Sequence, residues 1–357
     1  MTDAPRMFSV GKHGRKGSRL GFIVVVSIAA ALVLAVAVGW WLVSRTEHPT
    51  AQGQHVEVRI PEGAGTEQIA RMLSSYGVIN NSLMFEIKGK LDNTPLHPGT
   101  YQFATGMPDD LVLKSLSKGP QIVYYDVIIP EGFTAKQVAK RFAARAGVPA
   151  DEMMSLVTSG APKFEARHPY LQGAAGGSLE GYLYPATYRI KKGTKPADIV
   201  EMMLGKFDAA TAGLDLTYAK TKNLTLGDVV IIASILEREA KLEKDFPTVA
   251  SVIYNRMHAH MRLQLDSTVF YVAPDGTAKL TSADLSNPSA YNTYRHPGLP
   301  PGPISNPGIG AIKAAATPSQ TNYLYYVLTG KDGSQTFTTT YKDFLVAVKK
   351  YHEVFGP

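Results

Sequence analysis

The 357-residue chain contains no cysteine. That absence excludes a disulfide framework, a thiolate zinc site, an iron–sulfur cluster and a cysteine nucleophile. It suits an oxidising compartment such as a periplasm. Charge is sparse as well, with 19% charged residues against 45% hydrophobic, which is the balance of a folded protein that is neither disordered nor polytopic. No phosphate-binding P-loop, no G-x-G-x-x-G and no G-x-S-x-G occurs, so neither a nucleotide fingerprint nor a nucleophile elbow is present. His258 and His260 are two residues apart, whereas a zinc pair on one helix needs a spacing of three or four. No metal and no other cofactor is expected. The net charge is +7, but Arg6, Lys12, Arg15, Lys16 and Arg19 face only Asp3 before residue 20. With the excess gathered there and no basic stripe interleaved with aromatics, no nucleic-acid partner is expected.

What is present begins with a membrane span. Leu20 to Val43 carries no charge, and about 20 apolar residues suffice to cross a bilayer. A cleaved signal would have an apolar core of roughly 7–15 residues. Here the run ends instead on Trp40-Trp41, which read as interfacial anchors, followed by Arg45. The basic flank (residues 1–19) predicts a cytoplasmic N-terminus by the positive-inside rule. Residues 44–53 then read as a tether, and everything beyond lies outside the cytoplasm.

The exported part opens with a weak repeat. Val58-Arg59-Ile60-Pro61-Glu62-Gly63 returns 69 residues later as Val127-Ile128-Ile129-Pro130-Glu131-Gly132. Each copy predicts a strand, a Pro-Glu-Gly turn and an amphipathic helix, capped by Thr66 in the first and Thr134 in the second. Gly99–Phe103 reads as a strand and Pro108–Leu116 as a helix, making residues 54–121 a small α+β module. Residues 145–225 read as helical with long loops.

Thr225 predicts the cap of a helix whose run from Val229 to Leu236 is apolar on almost every face, the pattern of a buried helix. Glu237 follows on the stripe of Val230 and Ala233. A carboxylate there is either paired, with Arg256 or Arg262 as candidates, or shifted up in pKa so that it holds a proton near neutral pH. A glycosidic general acid is a glutamate of the second kind. A paired-carboxylate glycosidase would need a second acid. Glu239 points about 160° away along the helix, which leaves Asp266.

A second helix is expected from Asp245 to His258. Beyond it, Arg262, Gln264, Asp266 and Thr268 alternate with apolar residues and predict an extended segment with one polar face. Residues 291–310 hold five prolines and four glycines, which precludes a regular element and marks a binding loop. The chain should close with a helix over Ala311–Ala316, strands over Tyr323–Val327 and Gln335–Thr338, and a helix over Tyr341–Val354.

Several of these segments resemble a known family. Ala233-Ser234-Ile235-Leu236-Glu237-Arg238-Glu239 is similar to the catalytic helix of the YceG-like endolytic murein transglycosylases. Val252–Arg256, Met261–Val269, Tyr291–Tyr294, Gly298–Ile304, Asn306-Pro307-Gly308 and Glu180–Pro185 resemble the family's other motifs, in order. The resemblance implies an α+β chain with one transmembrane helix (20–43), a LysM-like module (54–121) and a mixed α/β catalytic domain (122–357). It implies that Glu237 is catalytic and that nascent peptidoglycan strands are cut between N-acetylmuramic acid and N-acetylglucosamine, leaving 1,6-anhydro ends. Glycan-binding candidates in these motifs are Glu180, Tyr182, Arg256, Gln264, Asp266, Thr268, Tyr291, Asn292 and Tyr294. Glycan strands, the plasma membrane and peptidoglycan synthases are the implied partners. The competing expectation is a non-catalytic peptidoglycan-binding scaffold.

Overall fold

The computed structural model describes residues 18–45, 53–93 and 95–356. The expected basic tail, up to residue 17, and the tether over 46–52 lie outside the described residues. The chain forms two compact units, 1–121 and 122–357.

In the first unit, α1 (Ser18–Arg45) is about 42 Å long at 1.5 Å per residue. Its Gly21–Trp41 stretch is long and apolar enough to cross a membrane, by length and composition. The module that follows runs β1 (His55–Ile60), α2 (Thr66–Ser75), α3 (Ser82–Leu91), β2 (Gly99–Ala104) and α4 (Asp109–Lys118). Strands β1 and β2 pair antiparallel, Val58 opposite Tyr101 and Val56 opposite Phe103. Their inward faces bury Val58, Ile60, Tyr101 and Phe103 against Ile69, Leu73, Phe85, Val112 and Leu116 of the helices. The predicted cap at Thr66 is corrected. Gly65 is the N-cap and no side chain bonds the first turn, because Thr66 already sits inside the helix.

The second unit contains β3 (Tyr124–Ile128), α5 (Ala135–Ala146), α6 (Ala150–Ser159), β4 (Thr187–Lys191), α7 (Pro196–Thr211), α8 (Thr217–Thr221), α9 (Leu226–Glu239), α10 (Phe246–His258), α11 (Asp266–Val272), α12 (Ser282–Leu285), α13 (Ile309–Ala316), β5 (Tyr325–Leu328), β6 (Gln335–Thr338) and α14 (Tyr341–Phe355). Its sheets are the antiparallel pairs β3–β4 and β5–β6. No parallel sheet occurs among the described residues, so the unit is α+β and not α/β. The helical reading of 145–225 missed β4, whose buried Tyr188 and Ile190 alternate with exposed residues and pair with β3.

Helix α9 runs through the centre. Thr225 and Asp228 form a reciprocal capping box, and all eight residues from Val229 to Leu236 are buried. Helices α10 and α13 pack against it. The proline-rich loop before α13 is stitched to α9 at Ser234, whose hydroxyl accepts Ile304 N–H at 3.0 Å while its carbonyl accepts the Ser305 hydroxyl at 3.0 Å.

The extended reading of 262–268 breaks at Gln264, whose φ of +49° is left-handed, and ends at Leu265. Asp266 starts α11, where its negative charge favours a helix N-terminus. Thr268 is fully buried, with its hydroxyl donating to Leu265 O, so the four polar side chains do not share one face.

Candidate active site

Three strands of the chain converge on the C-terminal end of α9. The Pro130-Glu131-Gly132 turn passes so close that a Cβ on Gly132 would lie 3.5 Å from Glu237 Cγ, and Gly132 has φ +73°. The amide of Gly308, the N-cap of α13, donates to Glu237 Oε2 at 2.8 Å. Glu243 comes from the connection between α9 and α10.

Glu237 is half-buried and makes no ion pair among the described residues. Burial pushes its pKa up to about 7. The Gly308 N–H opposes the rise, and the like charges of Glu131 and Glu243 add to it. Glu131 is itself raised by burial and by Glu243. A side chain at position 308 would collide with the Glu131 carboxylate, which packs against that glycine. Of the two alternatives the sequence left open, pairing or a raised pKa, only the second describes this carboxyl. Arg256 does not reach it. Its Nε donates to Leu324 O at 2.6 Å, its Nη1 donates to Leu263 O, and its Cζ lies 5.4 Å from the centre of the Tyr325 ring. Arg262 donates to Tyr294 O.

A second carboxyl, Glu180, lies deeper, 3% exposed. It accepts Ala135 N–H at the start of α5 (2.9 Å), the Tyr271 hydroxyl (3.2 Å) and Asn306 Nδ2 (3.2 Å). Burial outweighs these donors and lifts its pKa to about 8. Asn306 is the hub of this network. Its Oδ1 accepts Gly181 N–H and Leu183 N–H, and its Nδ2 also donates to Phe133 O. Its own backbone pairs with Gly132 and Phe133. Asn306 therefore joins Glu180 to the loop that carries Gly308 to Glu237.

The other candidates divide into two groups. Tyr291 packs on Tyr271, with ring centres 5.0 Å apart, and so stands beside Glu180. Tyr182 is buried against Tyr170 and Phe207. On the opposite flank of α9, Glu239 accepts Tyr326 OH and Ser267 N–H. The Tyr294 hydroxyl donates to Asp266 there at 2.6 Å. Thr268 bonds Thr293, and Gln264 is exposed with φ +49°. Asn292 is fully buried and donates to the Leu285 and Asn287 carbonyls. Glu131, Glu243, Tyr271 and the roles of Asn306 and Gly308 escaped sequence reading. The repeated Pro-Glu-Gly had marked residue 131 only as a turn. Two clefts open beside Glu180, one of about 630 Å³ reaching Arg238 and one of about 390 Å³ walled by Tyr170, Tyr182 and Tyr291, and Glu237 lines neither. Glu180 lines both.

Fold and site define an α+β protein with a span-length N-terminal helix and one half-buried, proton-holding glutamate at a helix end. Residues 58–350 match the YceG-like family, and the chain belongs to it. It is 30% identical over 317 residues to the endolytic murein transglycosylase of Streptococcus pneumoniae R6, covering 81% of this chain and 57% of that protein. The chain thus spans little more than half the length of the pneumococcal relative. To the endolytic murein transglycosylase of Bacillus subtilis it is 30% identical over 315 residues, covering 83% of this chain and 84% of the relative. A crystal structure of a YceG-like protein from Listeria monocytogenes matches with a TM-score of 0.54 and 32% identity, covering 82% of this chain and 99% of the other.

Proposed function

We propose that this chain is an endolytic murein transglycosylase held at the plasma membrane by α1, with Glu237 as its single acid and base. The observation that carries the reading is the state of Glu237. It is half-buried and unpaired, anchored by one backbone N–H, with its pKa pushed up to about 7 by burial. The relatives' names support the substrate class.

In this reading the protonated carboxyl donates to the oxygen linking N-acetylmuramic acid to N-acetylglucosamine. Positive charge builds at the anomeric carbon as the bond breaks. The carboxylate then takes the proton of the muramic C6 hydroxyl, whose oxygen closes the 1,6-anhydro ring. One carboxyl serves both steps because the nucleophile belongs to the substrate and is already close. Glu180, Tyr182, Tyr291, Gln264, Asp266, Thr268, Asn292, Tyr294 and Arg256 shape the glycan groove or hold its walls.

The module over 54–121 is read as LysM-like, a glycan-holding unit, on its strand–helix–helix–strand order. Nascent strands and the synthases that make them are the partners this placement favours, with the N-terminus in the cytoplasm.

Glu237→Gln should lower turnover by about 10²–10⁴-fold or more while the protein stays folded. Mass spectrometry of digested sacculi should find new anhydromuramic ends with the wild type only. New reducing ends instead would mean a hydrolase, and no new ends a binding scaffold. Near-normal turnover by the variant would remove Glu237 from the chemistry.

A further inference from the structure

The 630 Å³ cleft beside α9 falls in the size range of ligand sites, about 300–1,000 Å³. Its walls differ in chemistry. One presents Lys136 and Lys140, a turn apart on the exposed face of α5, together with Arg238, the residue after Glu237. The stretch from Phe270 to Pro274 also lines the cleft and is mostly apolar.

Three cations here meet few anions. Asp275 pairs with Lys140 at 3.0 Å, across two exposed side chains. Glu180, at the floor, is largely protonated at neutral pH because of its burial. Lys136 and Arg238 make no ion pair among the described residues. The 390 Å³ cleft has no cation and is walled by tyrosines and prolines, the lining a neutral sugar prefers. A cleft lined by both cations and an apolar stretch complements something different, a short chain carrying carboxylates and small methyl groups. In murein that description fits the stem peptide, which hangs from the lactyl group of each muramic residue and is rich in alanine.

We infer that the cleft of Lys136, Lys140 and Arg238 receives the stem peptide of the muramic unit bound at Glu237, so that the protein selects peptide-bearing strands over bare glycan. The cations take the stem carboxylates and the 270–274 wall takes the alanyl methyls. Arg238 ties the cleft to the cleavage site through Gly132, where an added Cβ would lie 3.5 Å from Glu237 Cγ and 3.9 Å from Arg238 Cδ. This rests on the glycan-cleaving reading of Glu237.

Two measurements on the full-length protein in detergent separate the inference from that reading. The first is the ratio of kcat/KM on strands with pentapeptide stems to kcat/KM on the same strands stripped by an amidase. It should be about ten or more and fall towards one in Lys136→Gln/Lys140→Gln, as two exposed charge pairs allow. Lys136→Arg/Lys140→Arg should keep the preference. The second is titration of the free pentapeptide ending in D-Ala-D-Ala into Glu237→Gln, where binding should weaken with salt and with the glutamine pair. A wild-type ratio of one overturns the stem site and leaves cleavage standing. So does a ratio the glutamine pair does not change, or one the arginine pair loses equally. Peptide binding that depends on the lysines, without cutting of either strand, keeps the site and removes the cleavage reading. Neither cutting nor binding overturns both.

Discussion

The amide of Gly308 and the carboxyl of Glu237 are joined by a 2.8 Å hydrogen bond at the N-terminus of α13. The bond alone would favour the ionised form, as would the positive end of the helix. Burial and two neighbouring carboxyls override it, and Glu237 ends near 7. The site therefore holds its acid in place with a group that by itself would spoil it as an acid.

A prediction for the rate follows from that balance. Proton donation needs Glu237 protonated, so kcat/KM should fall as pH rises through about 7. Glu131→Gln removes a like charge, which lowers the Glu237 pKa and moves this falling limb to lower pH. The pH–rate profiles of wild type and variant check it. A limb that stays put, or moves up, would show that Glu131 does not act electrostatically on Glu237.

Glu180 makes a prediction about stability. Its folded pKa, about 8, exceeds the 4.5 of an ordinary glutamate. The folded state then binds the proton more tightly than the unfolded state. Stability from this group is complete below about pH 4.5 and is lost as pH rises towards 8. The amount at stake is on the order of several kcal/mol for a shift this large. Glu180→Gln stays neutral and should flatten the decline between pH 5 and 8, set by where the wild type titrates. Calorimetric unfolding across that range decides it, and an equal slope in both proteins would be the wrong answer for Glu180.

Much of this was legible in the sequence because local chemistry set it. Thr134 and Thr225 cap their helices as read, since each has a partner three residues on to close a capping box. Thr66 has Ile69 at that place and caps nothing. The strand Gln335–Thr338 has the expected bounds. Strand β4 was hidden because its partner lies some 60 residues earlier, between Ile128 and Thr187. A short strand shows only when its pairing is known. The carboxyls around Glu237 were hidden for the same reason. Glu131 belongs to a turn by its own sequence, and only the fold brings it against Gly308. Asn306 was visible in a motif, but nothing local reveals that its side chain bridges Glu180, Phe133 and the 181–183 turn.

Asn306 carries the last prediction. It is fully buried and its amide makes four hydrogen bonds, two accepted from Gly181 and Leu183 and two donated to Phe133 and Glu180. Asn306→Ala leaves two backbone N–H groups, a carbonyl and a carboxyl oxygen buried with fewer partners. Each orphaned group costs about 1–3 kcal/mol before relaxation or entry of water. The expected loss is about 3 kcal/mol or more, measured by denaturant unfolding. The variant also frees the loop that delivers Gly308, so kcat should drop even where the protein remains folded. Asn306→Asp restores the acceptor for the two N–H groups but sets a second carboxyl against Glu180, and one of the two must then keep a proton. Its stability should approach that of the wild type at pH 5 and fall away from it at pH 8, because ionising both acids in one buried site is costly. An aspartate variant as stable as wild type at both values would mean that the hub is open to water, and that burial does not hold Glu180 protonated.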